Sequence, residues 1–156
     1  MVFDRNWKDL FDEVIKGAPH SIEIPLPNGY NNWKRLRVAH THPEEFGGTF
    51  SVKDITEFRK TRPISTSAVA NEGIYTIEQI EGKRHYWVNF EKAYEKHYSK
   101  VRNALLDELE KKCEDRGTPA TKHEYNKLRV ETANDLSKWL DENSERYGFR
   151  YALKVY

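Results

Sequence analysis

The chain has 156 residues, 37% hydrophobic and 33% charged, which fits one globular domain large enough to bury a core. Its 26 basic and 25 acidic residues leave a net charge of +1, so there is no general electrostatic attraction to nucleic acid or to a membrane surface. Cys113 is the only cysteine, which excludes an intramolecular disulfide and a thiolate-rich metal cage. The segment 1–16 mixes Asp4, Lys8, Asp9, Asp12 and Glu13 with its apolar residues and lacks the uninterrupted core of a signal peptide. No apolar run approaches the ~20 residues that span a bilayer. The expectation is a cytoplasmic protein, or a toxin domain delivered as part of a larger secreted chain.

Behind Asp4 as N-cap, Trp7, Leu10, Phe11 and Val14 fall at i, i+3, i+4 and i+7, and Gly17 stands at the end; this predicts a first helix. Two strand-like runs, 21–26 and 33–42, are joined by Pro27-Asn28-Gly29 and further turn residues, and read as an antiparallel pair. Ser51 can cap a short helix through about Lys60. The runs 65–70, 74–80 and 85–90 then read as three strands separated by glycine-containing turns. From Glu91 to Arg116 the apolar residues keep a 3–4 spacing that Gly117 ends, and a second helix starts at Thr118-Pro119 and carries Tyr125, Leu128, Leu136 and Trp139 toward Gly148. The last residues, 149–156, alternate and return as a strand to an edge of the sheet. The expected architecture is one α/β (α+β) domain over 1–156: a core over 1–90, a C-terminal antiparallel helical hairpin over 91–148, and a closing strand.

Within the second strand, Leu36, Val38, His40 and His42 share one face by the period-2 rule. The two imidazoles are about 6 to 7 Å apart at the backbone, within reach of one metal ion. Pro43 ends the strand because it cannot donate to the ladder. A loop of seven residues then leads to Ser51-Val52-Lys53-Asp54, and it can swing the first turn of the next helix back over the strand end. His40, His42 and Asp54 are therefore candidate zinc ligands, with Ser51 beside the open fourth position that catalytic zinc sites keep for water. Each half also has a plainer reading. Two strand histidines are common in a core, and Ser51-x-x-Asp54 is an ordinary capping box.

The joint pattern His40-x-His42-Pro43, seven residues, Ser51-x-x-Asp54 resembles that of the JAMM (MPN+, JAB) metalloproteases, over roughly residues 20 to 80. The resemblance implies a JAMM/cytidine-deaminase-like mixed sheet flanked by helices and a zinc-dependent hydrolase acting on a peptide or isopeptide bond. It implies His40, His42 and Asp54 as zinc ligands, Ser51 as an oxyanion donor and an upstream Glu as general base. Glu23, in the strand ahead of the histidines, is the choice for that base, with Glu13, Glu44 and Glu45 as alternatives. The family has a glycine soon after this Glu and a longer separation, whereas Glu23 is followed by Ile24-Pro25-Leu26 and lies 17 residues before His40. The implied substrate is a protein or peptide, such as a ubiquitin-like conjugate, and compact domains of this kind also resemble bacterial and phage effectors. The reading from another class is a catalytically inactive scaffold that binds a protein partner through the hairpin.

Overall fold

A computed structural model describes residues 1–10, 25–42 and 48–156. Five strands form one mixed sheet in the order β1 (Val2–Phe3), β2 (Arg37–Thr41), β3 (Ser65–Ala70), β4 (Gly73–Gln79) and β5 (Phe149–Val155). β2 and β3 are parallel, and every other neighbouring pair is antiparallel. Among the described residues three α-helices accompany the sheet: α1 (Val52–Thr61), α2 (Trp87–Arg116) and α3 (Lys122–Asn143). The expected mixed α+β class, the C-terminal helix pair and a closing strand at the sheet edge are all present. No helix among the described residues is long and apolar enough to cross a membrane.

Local chemistry accounts for the boundaries. α1 opens on Ser51 with a full capping box and stops where Arg62 turns left-handed ahead of Pro63. α2 ends on the left-handed Gly117, and α3 opens on a second capping box, Thr121 with Glu124. Arg116, at the end of α2, grips Glu124 through two bonds of 2.5 and 2.8 Å, which ties the two ends of the interhelical turn together. One face of the sheet carries the core, in which Ala68, Tyr75, Ile77 and Phe149 meet Ile55 and Phe58 of α1, Phe90 and Tyr94 of α2, and Leu136 and Leu140 of α3.

Four expectations change. The strand over 85–90 is absent, because α2 already begins at Trp87. Trp87, Phe90, Tyr94 and Tyr98 continue the helical spacing, and no Gly or Pro interrupts 85–116. The run 33–42 is strand only from Arg37, since Asn32 caps a 3₁₀ turn over Trp33–Arg35 by accepting from the Lys34 amide. Its antiparallel partner is β1, and of the expected partner strand Pro25 and Leu26 are not in a strand while 21–24 lie outside the described residues. Pro25 and Pro27 flank Leu26 and remove ladder donors, which disfavours pairing there. The helix expected from Asp4 is also absent as far as Leu10. Asp4 Oδ1 instead accepts from the Asn6 and Lys8 amides, and Trp7 takes φ +65° with its ring exposed. The remainder of that helix, 11–17, lies outside the described residues. Finally, α3 starts at Lys122 rather than beside Pro119, because the Thr121 capping box supplies the stronger start signal.

Gly148, the residue before β5, has φ +91°, and a Cβ on it would run into the Arg84 carbonyl. Gly82 also has a positive φ, +77°, but open space around it. Gly82→Ala should therefore cost only the left-handed backbone penalty of about 1 to 2 kcal/mol. Gly148→Ala should cost clearly more in a urea unfolding titration. Equal losses would show that the Arg84 contact does not constrain the chain.

The hairpin turn gives a pH-dependent prediction. Arg116 first, then the Thr121 amide, lower the Glu124 carboxyl from its ordinary 4.5 to about 2. A depressed folded-state pKa contributes stability that is present above about pH 4.5 and lost as pH falls toward 2. A carboxyl NMR titration should place the Glu124 midpoint near 2 and return it toward 4.5 in Arg116→Ala. An unmoved midpoint would refute the clasp.

Candidate metal centre

His40 lies on β2 opposite Ala68 of the parallel neighbour, and the small alanine leaves room for the ring on that face. His42 follows the strand end, held in line by its amide donating to the Val69 carbonyl at 2.9 Å. Asp54 is the third residue of α1, where the exposed helix amides favour a carboxylate. The β2–α1–β3 crossover brings the carboxyl end of a parallel strand against a helix N-terminus, a place where α/β sheets commonly bind ligands.

The three side chains meet. The His40 and His42 Nε2 atoms are 2.9 Å apart, with the rings tilted at 47°. His40 Nε2 is 3.2 Å from Asp54 Oδ1, and His42 Nε2 is 3.3 Å from Asp54 Oδ2. A tetrahedral ion bound at 2.0–2.1 Å needs donors about 3.3 Å apart, close to these spacings. The side chains are 15, 10 and 20% exposed respectively, so the cluster is partly buried yet open to solvent. Among the described residues these three form the group of His, Cys, Asp and Glu side chains able to hold one ion. Two imidazoles and one carboxylate suit zinc better than magnesium or calcium, which prefer all-oxygen shells.

Ser51 sits on the Asp54 side of the cluster. Its amide and its hydroxyl both donate to Asp54 Oδ2, each at 2.7 Å, while its Oγ accepts from the Asp54 amide at 3.2 Å. The capping box and the candidate metal site thus use the same carboxylate: Oδ1 faces His40, and Oδ2 takes the Ser51 bonds while it also faces His42. Burial alone would raise the Asp54 carboxyl, but the contacts with His40, His42 and Ser51 outweigh it and hold the group well below the usual carboxylate range. It is therefore an anion at any pH at which the imidazoles are neutral and able to ligate.

The structure brings together His40, His42, Asp54 and Ser51. Glu23, and the alternatives Glu13, Glu44 and Glu45, lie outside the described residues. One neighbour escaped the sequence reading. Tyr94, on the apolar face of α2, is fully buried beneath the α1 start and donates to the Phe50 carbonyl at 2.5 Å. The signal for it is general: a buried tyrosine hydroxyl needs a partner. Gly48, in the approach to α1, is also constrained, because a Cβ there would strike Glu72 and Tyr75. No protein family, curated protein or solved structure matches the chain.

If the cluster binds zinc, the wild-type chain should take up one equivalent, and its unfolding midpoint should rise with zinc, by about 2.7 kcal/mol in stability at a free concentration 100 times Kd. His40→Ala and His42→Ala should each weaken zinc binding by more than about 100-fold. Ser51→Ala should cost about 1 kcal/mol of stability through the lost cap even without metal. A wild-type midpoint that does not respond to zinc would sink the metal reading and leave an N-capped helix beside two histidines.

Proposed function

We propose that the chain is a zinc-dependent metallopeptidase or isopeptidase of JAMM type. The observation that carries this reading is the convergence of His40, His42 and Asp54 from a strand end and a helix start, with Ser51 at Asp54, because the same four residues form the JAMM-like sequence pattern. The β2–α1–β3 arrangement and the mixed sheet are compatible with a JAMM/cytidine-deaminase-like fold.

Zinc bound there would supply a Lewis acid for the scissile carbonyl and, by lowering the pKa of a coordinated water to about 7, a hydroxide nucleophile at neutral pH. The residues of the chain do the rest. His40 and His42 would hold the ion through Nε2, and Asp54 would add a negative charge through its carboxylate, whose Oδ1 faces His40 and Oδ2 faces His42. The Ser51 hydroxyl, which donates to Asp54 Oδ2 in this structure, rotates to donate toward the oxyanion that develops on the substrate carbonyl. Such a donor contributes about 2.7 to 4 kcal/mol when well placed. Glu23 accepts the proton and returns it to the leaving amine. The substrate is a protein or peptide, with a ubiquitin-like conjugate as the first choice, and the chain fits an effector domain of a larger protein.

A second reading has its own support. α2 is 30 residues, about 45 Å, long, and Ser51 and Asp54 already satisfy one another. On that reading the metal site is structural and the hairpin presents its flank to a protein partner.

The decisive experiment loads the purified chain with zinc and offers ubiquitin-like conjugates and peptide libraries. Hydrolysis should appear, should vanish in His42→Ala, and should fall by about 100-fold or more in Ser51→Ala and in Glu23→Gln with zinc retained. Zinc bound tightly with no hydrolysis of any substrate would favour the scaffold instead.

A further inference from the structure

Resting on the metal-site reading above, we infer that Tyr94 is a positioning residue for Asp54, acting through the peptide group between Phe50 and Ser51. The Tyr94 hydroxyl reaches up from α2 and donates to the Phe50 carbonyl at 2.5 Å. The N–H of that same peptide group belongs to Ser51, and it donates to Asp54 Oδ2 at 2.7 Å. A peptide group is planar and trans, so fixing the direction of its C=O fixes the direction of its N–H. Tyr94 therefore aims the one donor to Asp54 that cannot rotate, whereas the Ser51 hydroxyl can. Accepting a bond at the carbonyl also polarises the amide and strengthens the N–H bond to the carboxylate.

The supply of that bond is secure. Tyr94 is fully buried, and burial first, then the charge of Asp54, push its hydroxyl well above the usual tyrosine range, so it stays a donor. Thr49 Oγ1, one residue before Phe50, is buried without a hydrogen-bond partner, so the Phe50 carbonyl is the acceptor that Tyr94 has. The ring packs against Trp139, 5.7 Å between centroids, and phenylalanine would keep that contact. The hydroxyl is thus the separable part, and its work is orientation of an outer-shell donor to a ligand carboxylate.

Tyr94→Phe tests this in the full chain, with zinc affinity read by competition against a chelator and the Ser51 amide read by NMR shift and hydrogen exchange without metal. Ser144→Ala is the control, since it loses another buried hydroxyl bond, 2.5 Å to the Leu140 carbonyl, on the far side of the core. Tyr94→Phe should raise the zinc Kd about 10-fold and speed exchange at the Ser51 amide, and Ser144→Ala should change neither. A zinc Kd within twofold of wild type with an unmoved Ser51 amide overturns the inference, as does an equal loss of affinity in Ser144→Ala. The wild-type Ser51 amide must itself be protected, and free exchange there overturns the inference even if Tyr94→Phe fails to fold. A wild-type chain that takes no zinc defeats the metalloenzyme reading, while the metal-free amide comparison still decides the role of Tyr94.

Discussion

The parallel pairing of β2 with β3 is the constraint from which the site follows. Two parallel strands cannot be joined by a tight turn, so the chain must cross the sheet, and α1 is that crossover. The crossover returns the helix start to the end of the strand it left. His40, His42 and Asp54 therefore meet because of the topology, although Asp54 lies 12 positions after His42. Ile55 and Phe58, 0 and 2% exposed, anchor the helix in the core one turn beyond the site. Arg59 pairs with Glu91 of α2 and ties the far end of α1 to the long helix.

Asp54 serves the helix and the cluster at once, and the magnitudes show that these uses are compatible. A cap is worth about 1 kcal/mol and the helix dipole up to about 1 more. Zinc bound by a structural site contributes on the order of 10 kcal/mol. Even complete loss of the cap would cost a small part of that. The geometry does not ask for the loss, because Oδ1 carries no Ser51 bond and lies 3.2 Å from His40 Nε2, while Oδ2 is shared between Ser51 and His42. The capping box fixes the Asp54 carboxylate in place, as an outer shell would if an ion were bound there.

The parts of this fold legible in the sequence were those set by local chemistry. Gly117, the apolar spacing of the two long helices and the Ser51-x-x-Asp54 start all act within a few residues, and each marks a real element. The cluster was legible for the same reason, as two short motifs that each lie within four residues. What escaped depends on distant partners. β1 is two residues long and exists only by pairing with Arg37 and Val38, and nothing in its own sequence requires a strand. The run 85–90 alternates well enough to suit a strand, yet its fate was decided by the helix that continues for about seven further turns. Asp4 caps a turn, not a helix, because two nearby amides, those of Asn6 and Lys8, satisfy it first. Tyr94 reads as core in any periodicity, since its partner Phe50 is 44 residues away.

The electrostatics of the cluster bear on why it should hold a cation at all. The two Nε2 atoms are 2.9 Å apart and lie 3.2 and 3.3 Å from the Asp54 carboxylate, so three donor groups converge on one small volume. Two neutral rings leave at least one Nε2 lone pair turned toward the other ring and toward a carboxylate that is held anionic. A partly buried polar group without its full complement of partners is costly. A divalent cation satisfies all three donors at once and cancels the carboxylate charge. Because β2 is hydrogen-bonded on both flanks at Ala39 and α1 is fixed in the core, the donors are held near their places by the fold. The ordering entropy that binding would otherwise cost is thereby already met in folding, which is the condition under which a three-ligand site can hold an ion and still leave its fourth position open.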